Sequence, residues 1–188
     1  HEIMVLSNDL MYISDKYRKV ESICDTTYSA LFSDNTVIGS WLRSKPVVMT
    51  INDILFVHAG ISVEMVHRNM PVEKINRIFS EKIVGKDIEM IQAEEEPAFL
   101  NDDLGPVWYR GYYIHRKFNE SHLDTILSYF DKNHIIIGHT PNMRIRSFFN
   151  NKILGVDTGI MYKHQGEMLI YKNGDFYRSR ISGKRIKL

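Results

Sequence analysis

Two stretches of the sequence decide the fold, because they end in the same way: ILFVHAG at residues 54–60 and IIIGHTP at residues 135–141. A third stretch, ILGVDTG at residues 153–159, has the same design. Successive apolar residues are typical of strands that are covered on both faces. In layered α/β proteins, ligands bind outside the carboxyl ends of such strands. We therefore expect an α/β fold in which the polar residues after these three strands converge on one site.

The converging residues would be His58, His139 and Asp157. A histidine at a strand end can simply hydrogen-bond a backbone carbonyl, but a pair at matching strand ends favours a metal site, since neutral imidazole is a common metal ligand. Asp157 either orients such a ligand or forms the turn that follows it. The other histidines lack paired spacing and are predicted to lie at the surface: His67, His115, His122, His134 and His164.

Hydrophobic periodicity and turn residues predict the elements around these strands. The predicted helical segments are 3–17, 36–43, 62–94 and 121–132, and residues 99–113 are predicted to form a long loop with an aromatic patch. The predicted strands are 47–51 and 54–57 in a hairpin, 135–137, 144–149, 152–156, 168–171 and 175–181. The acidic run 94–96 and the basic tail 184–187 are predicted to be solvated.

Length and composition are ordinary for one globular domain, with 188 residues, 44% hydrophobic and 25% charged. The formal charge of +1 gives no large field that would attract nucleic acid or an anionic membrane. No stretch reaches the ~18 apolar residues of a membrane span, and His1 to Met4 lack the features of a signal peptide. The single Cys24 leaves the compartment open, with the cytoplasm favoured.

Several motifs, in this order, resemble elements of the calcineurin-like metallophosphoesterases: His1-Glu2, VHAG at 57–60 and GHT at 138–140. WYRGY at 108–112, preceded by Gly105-Pro106, resembles the bacterial phosphoprotein-phosphatase-like branch, which includes the Shewanella-like phosphatases. The resemblance spans almost the whole chain. The family's upstream elements are absent, namely an Asp-x-His, an Asp-x-x-Asp-Arg and the Asn before His-Glu. The chain is therefore expected to be the C-terminal portion of such an enzyme.

The resemblance implies a fold and an activity. The fold would be the C-terminal part of a four-layer αββα sandwich, as a single domain over 1–188 with a helical insert at about 62–100. The activity would be hydrolysis of phosphate monoesters, with serine/threonine or tyrosine phosphoprotein as the expected substrate. The nucleophile would be a hydroxide activated by two divalent ions, which could be manganese, iron or zinc. Hydrolysis of dinucleoside polyphosphates or phosphodiesters, and a non-catalytic fragment, stay open as alternatives.

The same resemblance implies roles for individual residues. His58 and His139 match positions that bind one metal of the pair, whereas the remaining ligands would lie upstream. His1 matches the general acid that protonates the leaving alkoxide, although a residue at a chain end can also be frayed. Glu2 would support the site from outside the ligand sphere. Arg110 matches a phosphate-binding position, which suits the donor fork of guanidinium, and the alternative is stacking on its aromatic neighbours.

Overall fold

The computed structural model describes residues 1–7, 11, 13–114 and 118–188, and the chain forms two compact units. The helical unit comprises His1–Pro46 and Asn76–Ala98, and the sheet unit comprises Val47–Ile75 and Phe99–Leu188. The assignment of a single domain with an insert at about 62–100 stays a prediction. Within the described residues, no helix is long and apolar enough to cross a membrane.

A five-stranded mixed sheet forms the centre of the sheet unit, in the order β1-β2-β3-β5-β4. Its strands are β1 Val48–Ile51, β2 Ile54–Val57, β3 His134–Ile137, β4 Arg146–Phe148 and β5 Ile153–Gly155. β1 and β2 form the predicted antiparallel hairpin. β2, β3 and β5 are parallel, and Ile137 is the partner of both Val57 and Gly155. The carboxyl ends of these three strands therefore lie side by side at one edge.

A second, antiparallel sheet follows in the order β6-β7-β8, with β6 Glu167–Lys172, β7 Asp175–Arg180 and β8 Arg185–Lys187. β6 and β7 are joined at Asn173 and Gly174, whose φ angles are 54° and 84°, as a tight hairpin turn requires. The basic residues Lys184, Arg185 and Lys187 are exposed as predicted, and the backbone of 185–187 also pairs with β7. Alternation explains this, because Ile186 is half-buried between exposed Arg185 and Lys187.

Side chains from both sheets pack into one hydrophobic cluster. Ile54, Leu154 and Phe176 are buried in it, and Phe56, Ile136, Leu169 and Leu188 pack against it. The remaining helices of the sheet unit are α4 Val63–His67, α8 Gly111–Ile114, α9 Glu120–Phe130 and a 3₁₀ turn at Ile160–Tyr162. The predicted α/β class is confirmed, with a mixed sheet and a second antiparallel sheet. The four-layer arrangement stays a prediction.

Short helices make up the helical unit. They are α1 Glu2–Leu6, α2 Asp15–Cys24, a 3₁₀ turn at Ser29–Phe32, α3 Val37–Arg43, a π-helical turn at Phe79–Ile83 and α6 Ile88–Gln92. α5 Val72–Ile78 and α7 Glu95–Leu100 each run across a unit boundary. The prediction of one helix over 3–17 is wrong. Ser14 has extended backbone, and its side chain accepts the Lys16 N–H, so a new helix begins there. Residues 8–10 and 12 lie outside the described residues.

Candidate functional site

The two histidines predicted as ligands face each other at the edge of the mixed sheet. His58 follows β2 directly, and His139 lies two residues beyond β3. His58 Nε2 is 3.0 Å from His139 Nδ1, and the rings meet edge to face with their centroids 4.9 Å apart. The Gly138 N–H donates to the His58 carbonyl at 2.8 Å. This hydrogen bond therefore links the backbone just after β3 to the backbone just after β2.

His139 is held in a conformation that histidine adopts infrequently. Its φ angle is 62°, in the left-handed region, and such residues cluster at functional sites. Burial, followed by the nearby charges of Arg110 and His58, lowers the pKa of His139 to about 4. The ring is therefore neutral at pH 7, which is the form that can bind a metal ion. The Trp108 ring also packs edge to face against it, at 5.6 Å between centroids.

The histidine pair fits one side of a metal centre. Two neighbouring nitrogen ligands with bonds of about 2.0–2.1 Å to one ion are roughly 2.9–3.4 Å apart, and the 3.0 Å between His58 Nε2 and His139 Nδ1 lies in that range. A direct hydrogen bond between one protonated and one bare nitrogen gives the same separation. His139 Nε2 is buried and has no hydrogen-bond partner in the described part of the chain. A ligand histidine usually donates that second N–H to an acceptor, which the described residues do not supply.

The described residues do not by themselves form a complete metal site. Among residues 1–7, 11, 13–114 and 118–188, no group of three or more His, Cys, Asp or Glu side chains could hold a metal ion. The pair therefore leaves most coordination positions to groups other than the described histidine, cysteine and carboxylate side chains. Two histidines without further ligands bind a metal ion weakly.

Arg110 lies close enough to His139 for its charge to lower the pKa of that ring. It is half-buried and immediately precedes α8. In the described residues, no carboxylate forms an ion pair with Arg110, and no cation–π contact joins it to Trp108, Tyr109 or Tyr112. The stacking alternative therefore finds no support, and the guanidinium donors remain free of acidic partners within that part of the chain.

Asp157 forms a turn, which was one of its two predicted roles. Its Oδ1 accepts the Gly159 N–H at 2.9 Å, and Gly159 has a φ angle of 66°. The carboxylate lies near enough to oppose the fall in the pKa of His139. The described residues include no hydrogen bond from Asp157 to His58 or His139. An orienting role for Asp157 stays a prediction.

His1 and Glu2 belong to the helical unit. His1 is the exposed N-cap residue of α1, and its side chain forms no capping hydrogen bond. Glu2 is the exposed first residue of that helix, and its carboxylate is 3.7 Å from the amino terminus. The general-acid role of His1 and the supporting role of Glu2 stay predictions.

Aromatic residues that the sequence placed in a loop hold the His58 segment in place. Tyr109 and Tyr112 are buried, with their rings 5.1 Å apart in a T-shaped contact. A Cβ on Gly60 would lie 2.7 Å from the Tyr109 ring and 2.9 Å from the Tyr112 ring, so only glycine fits there. The Ala59 N–H donates to the Pro106 carbonyl at 2.9 Å. The motif at 108–112 thus packs directly against the VHAG motif.

Three of the remaining histidines are less exposed than predicted. His134 is the first residue of β3, and its ring packs on Phe176 with centroids 4.8 Å apart. His164 is half-buried, and its Nδ1 is buried without a hydrogen-bond partner in the described chain. His67 is exposed as predicted, whereas His122 is half-buried. His115 lies outside the described residues. Spacing missed His134 and His164 because tertiary contacts, rather than local pattern, bury them.

The chain is similar over its whole length to solved structures of cold-active protein tyrosine phosphatases. One from a psychrophilic Shewanella species and one of a mutant each share 37% identity, with a TM-score of 0.94, and the chain covers 56% of each. A structure at 1.1 Å shares 38% identity with the same TM-score, and 55% of it is covered. The chain thus spans about half the length of these phosphatases. No protein-family model and no curated protein matches it.

Proposed function

We propose that the intact protein hydrolyses phosphate monoesters at a site that contains His58 and His139, as a calcineurin-like metallophosphoesterase. The observation that carries this proposal is the 3.0 Å approach of the two ring nitrogens at the ends of neighbouring parallel strands. Similarity to protein tyrosine phosphatases over the whole chain supports phosphatase activity. A phosphoprotein is the substrate that we expect.

The proposed cofactor is a pair of divalent ions, which could be manganese, iron or zinc. Such ions lower the pKa of a bound water to make a nucleophile at neutral pH and neutralise charge on phosphoryl oxygens. His58 Nε2 and His139 Nδ1 would bind one of them, because the two atoms are 3.0 Å apart and the lowered pKa of His139 keeps its ring neutral at pH 7. Upstream residues would supply the other ligands.

Four other residues of this chain would bind the phosphate, donate a proton or support the site. Arg110 would bind the phosphate, since its guanidinium offers a fork of donors and no carboxylate of the described residues pairs with it. His1 would give its proton to the departing alkoxide as the ester bond to phosphorus breaks. Glu2 and Asp157 would support this arrangement from outside the ligand sphere.

Alanine substitution of the histidines tests the proposed metal site. In the intact protein, His58→Ala and His139→Ala should lower bound metal and phosphatase activity together, by about tenfold or more in activity, because an ion loses one ligand. Metal content is measured by elemental analysis and activity on an aryl phosphate. His67→Ala is the control, since its side chain is 62% exposed and lies on α4. Full metal occupancy and activity in His139→Ala would exclude the assignment.

The substrate class is tested separately on the same intact protein. We expect higher kcat/KM on a phosphopeptide than on a dinucleoside polyphosphate, with an aryl phosphate as the common reference. A clear preference for the dinucleoside polyphosphate would replace the proposed substrate while leaving the metal site in place. Absence of turnover on all three, with metal bound, would leave only a non-catalytic role.

A further inference from the structure

A polar cavity lies in the sheet unit, and its lining begins two residues after His139, at Pro141. Its volume is about 690 Å³, which falls within the usual range of ligand sites. We name it the arginine pocket, because its lining includes Arg144, Arg146, Arg178 and Arg180, together with His164 and Glu167. None of these residues belongs to the proposed metal site.

The four arginines form two pairs in the sequence, one at the start of β4 in the mixed sheet and one on β7 in the second sheet. Arg144 and Arg146 flank Ile145, which is buried, and Arg178 and Arg180 belong to β7. In extended chain, residues two apart point to the same face, so Arg178 and Arg180 lie on one face of β7. Arg146 is the first residue of β4, and Arg144 lies at a bend two residues before it. The motif R-x-R therefore occurs twice around one cavity. The strands come from separate parts of the chain, which makes this grouping a tertiary feature.

Glu167 neutralises part of the positive charge of the arginines and fixes the positions of Arg178 and Arg180. Its carboxylate is 5% exposed and pairs with Arg178 at 2.8 Å and Arg180 at 3.6 Å. It also accepts the Ile145 N–H at 3.0 Å. A buried carboxylate with these three partners is fully engaged, so it holds the arginines rather than competing for a ligand. The glutamate also ties β6 to the segment that carries Arg144 and Arg146.

The pocket keeps a surplus of positive charge. Four arginines and one glutamate give its lining a formal charge of +3, whereas the whole chain carries only +1. In the described part of the chain, no ion pair involves Arg144 or Arg146. Guanidinium groups gathered in this way repel one another, and an anion bound among them relieves that repulsion and accepts their hydrogen bonds.

The pocket also adjoins the proposed catalytic edge. Asn142 lines it, and the Asn142 N–H donates to the Asp157 carbonyl at 3.0 Å. The Asn142 side chain donates to the Tyr113 hydroxyl at 3.3 Å, and the charge of Arg146 acts on that same tyrosine. His139 is three residues before Asn142 along the chain. A ligand that spans a few residues can therefore reach from the His139 loop into the pocket.

We propose that the arginine pocket binds an oxyanion, a phosphate or carboxylate group, that the substrate carries next to the phosphate being hydrolysed. Its use as a substrate subsite rests on the proposed function, whereas oxyanion binding does not. The fitting substrate class is an acidic or multiply phosphorylated peptide segment. His164 adds a ring nitrogen, Nδ1, which is buried and lacks a partner in the described residues.

Peptide binding tests this proposal without any catalysis. Fluorescently labelled peptides of one length are titrated in the presence of a chelator: one with a tyrosine flanked by glutamates, one flanked by phosphoserines and one flanked by alanines. The glutamate and phosphoserine peptides should bind with at least about tenfold lower Kd than the alanine peptide, because charged contacts add to affinity. Whichever of the two binds more tightly identifies the source of the oxyanion. Equal Kd values for all three peptides would overturn the proposal.

Charge-matched variants then locate the binding. Arg144→Gln/Arg146→Gln should raise the Kd of the acidic peptides about tenfold, while Lys184→Gln/Arg185→Gln, which removes equal charge from exposed residues outside the pocket, should change it less than about twofold. Similar losses in both would show general electrostatic attraction and overturn the pocket assignment. The single variants Arg144→Gln and Arg146→Gln, expected at about threefold each, serve if the double variant unfolds. Metal content in the histidine variants tests the proposed function independently.

Discussion

Tyr112 holds both backbone groups of Ile61 through one hydroxyl. The hydroxyl donates to the Ile61 carbonyl at 2.7 Å and accepts the Ile61 N–H at 3.0 Å. Both residues are buried, and Ile61 lies three residues beyond His58. A side chain from α8 therefore fixes the backbone of the segment that follows β2. This segment includes His58, so the contact helps to set the position of His58 relative to His139.

Removing this hydroxyl should destabilise the chain. Tyr112→Phe leaves the buried N–H and carbonyl of Ile61 without their partner, and we expect the free energy of unfolding to fall by about 1–3 kcal/mol. Urea unfolding measures the change. Tyr17→Phe is the control, because Tyr17 is 51% exposed. This substitution should lower the free energy of unfolding by less than about 0.5 kcal/mol. Equal losses in the two variants would contradict the role of the Tyr112–Ile61 contact.

The same residue predicts sensitivity to alkaline pH. Burial raises the pKa of Tyr112 well above its usual value, and burial raises the pKa of Tyr109 to about 12. Because the folded-state pKa values lie above the unfolded ones, this stability is complete below about pH 10 and is lost as pH rises beyond that. Urea unfolding across pH 9 to 12 should show the decline. Tyr112→Phe should lessen the slope by about 1.4 kcal/mol per pH unit, and an unchanged slope would argue against burial of the phenol.

Gly60 should not accept a methyl group. In Gly60→Ala, the new Cβ would lie within 3.0 Å of both the Tyr109 and Tyr112 rings, so those buried rings must move. We expect a loss of about 1–3 kcal/mol in the free energy of unfolding, measured by urea titration. Gly138→Ala provides the comparison, since its Cβ would meet only the His58 carbonyl oxygen, at 3.5 Å, which is an ordinary contact. Equal tolerance of both alanines would show that the aromatic packing is loose.

Arg110 should affect phosphate binding rather than metal binding. In the intact protein, Arg110→Ala should raise the inhibition constant of inorganic phosphate about tenfold, because a bidentate donor is lost, while metal content stays unchanged. Arg185→Ala removes an exposed guanidinium elsewhere and should leave both quantities as they were. Metal loss in Arg110→Ala, with phosphate inhibition unaffected, would assign the residue to the metal site instead.

Glu167 should contribute strongly to stability. Glu167→Gln keeps the shape of the side chain but leaves Arg178, which is 12% exposed, without its carboxylate. We expect the free energy of unfolding to fall by about 3 kcal/mol. Glu120→Gln is the matched control, because Glu120 is 57% exposed in its pair with Lys152. This substitution should lower the free energy of unfolding by less than about 1 kcal/mol. A neutral Glu167→Gln would show that solvent screens the pair.

Local pattern was sufficient for the strands that position the histidines. β2, β3 and β5 are short apolar runs with abrupt polar ends, so their limits follow from sequence to within about one residue. α9 matches its prediction within two residues, because its apolar face repeats at helical spacing and Asn119 caps it. In these cases the residues that lie next to one another in the sequence determine where the element begins and ends.

Features that depend on distant residues were not accessible from the sequence. Tyr112 and Ile61 are 51 residues apart, and nothing near either residue indicates their contact. The break before α2 depends on one serine cap, and β8 is a three-residue strand in which apolar Ile186 is the only sign of pairing. The R-x-R repeats were visible, but only the two sheets bring Arg146 and Arg178 to one cavity.

The separation of His58 and His139 by 81 residues makes their contact one between distant parts of the chain. The two rings come into contact only when β2 and β3 have paired in parallel. This pairing requires closure of a long loop and contributes to high contact order. A chain in which β2 and β3 have not paired therefore lacks the close approach of the two histidine rings. Under the proposed function, metal affinity would report that the sheet has formed, and it could be followed in time during refolding.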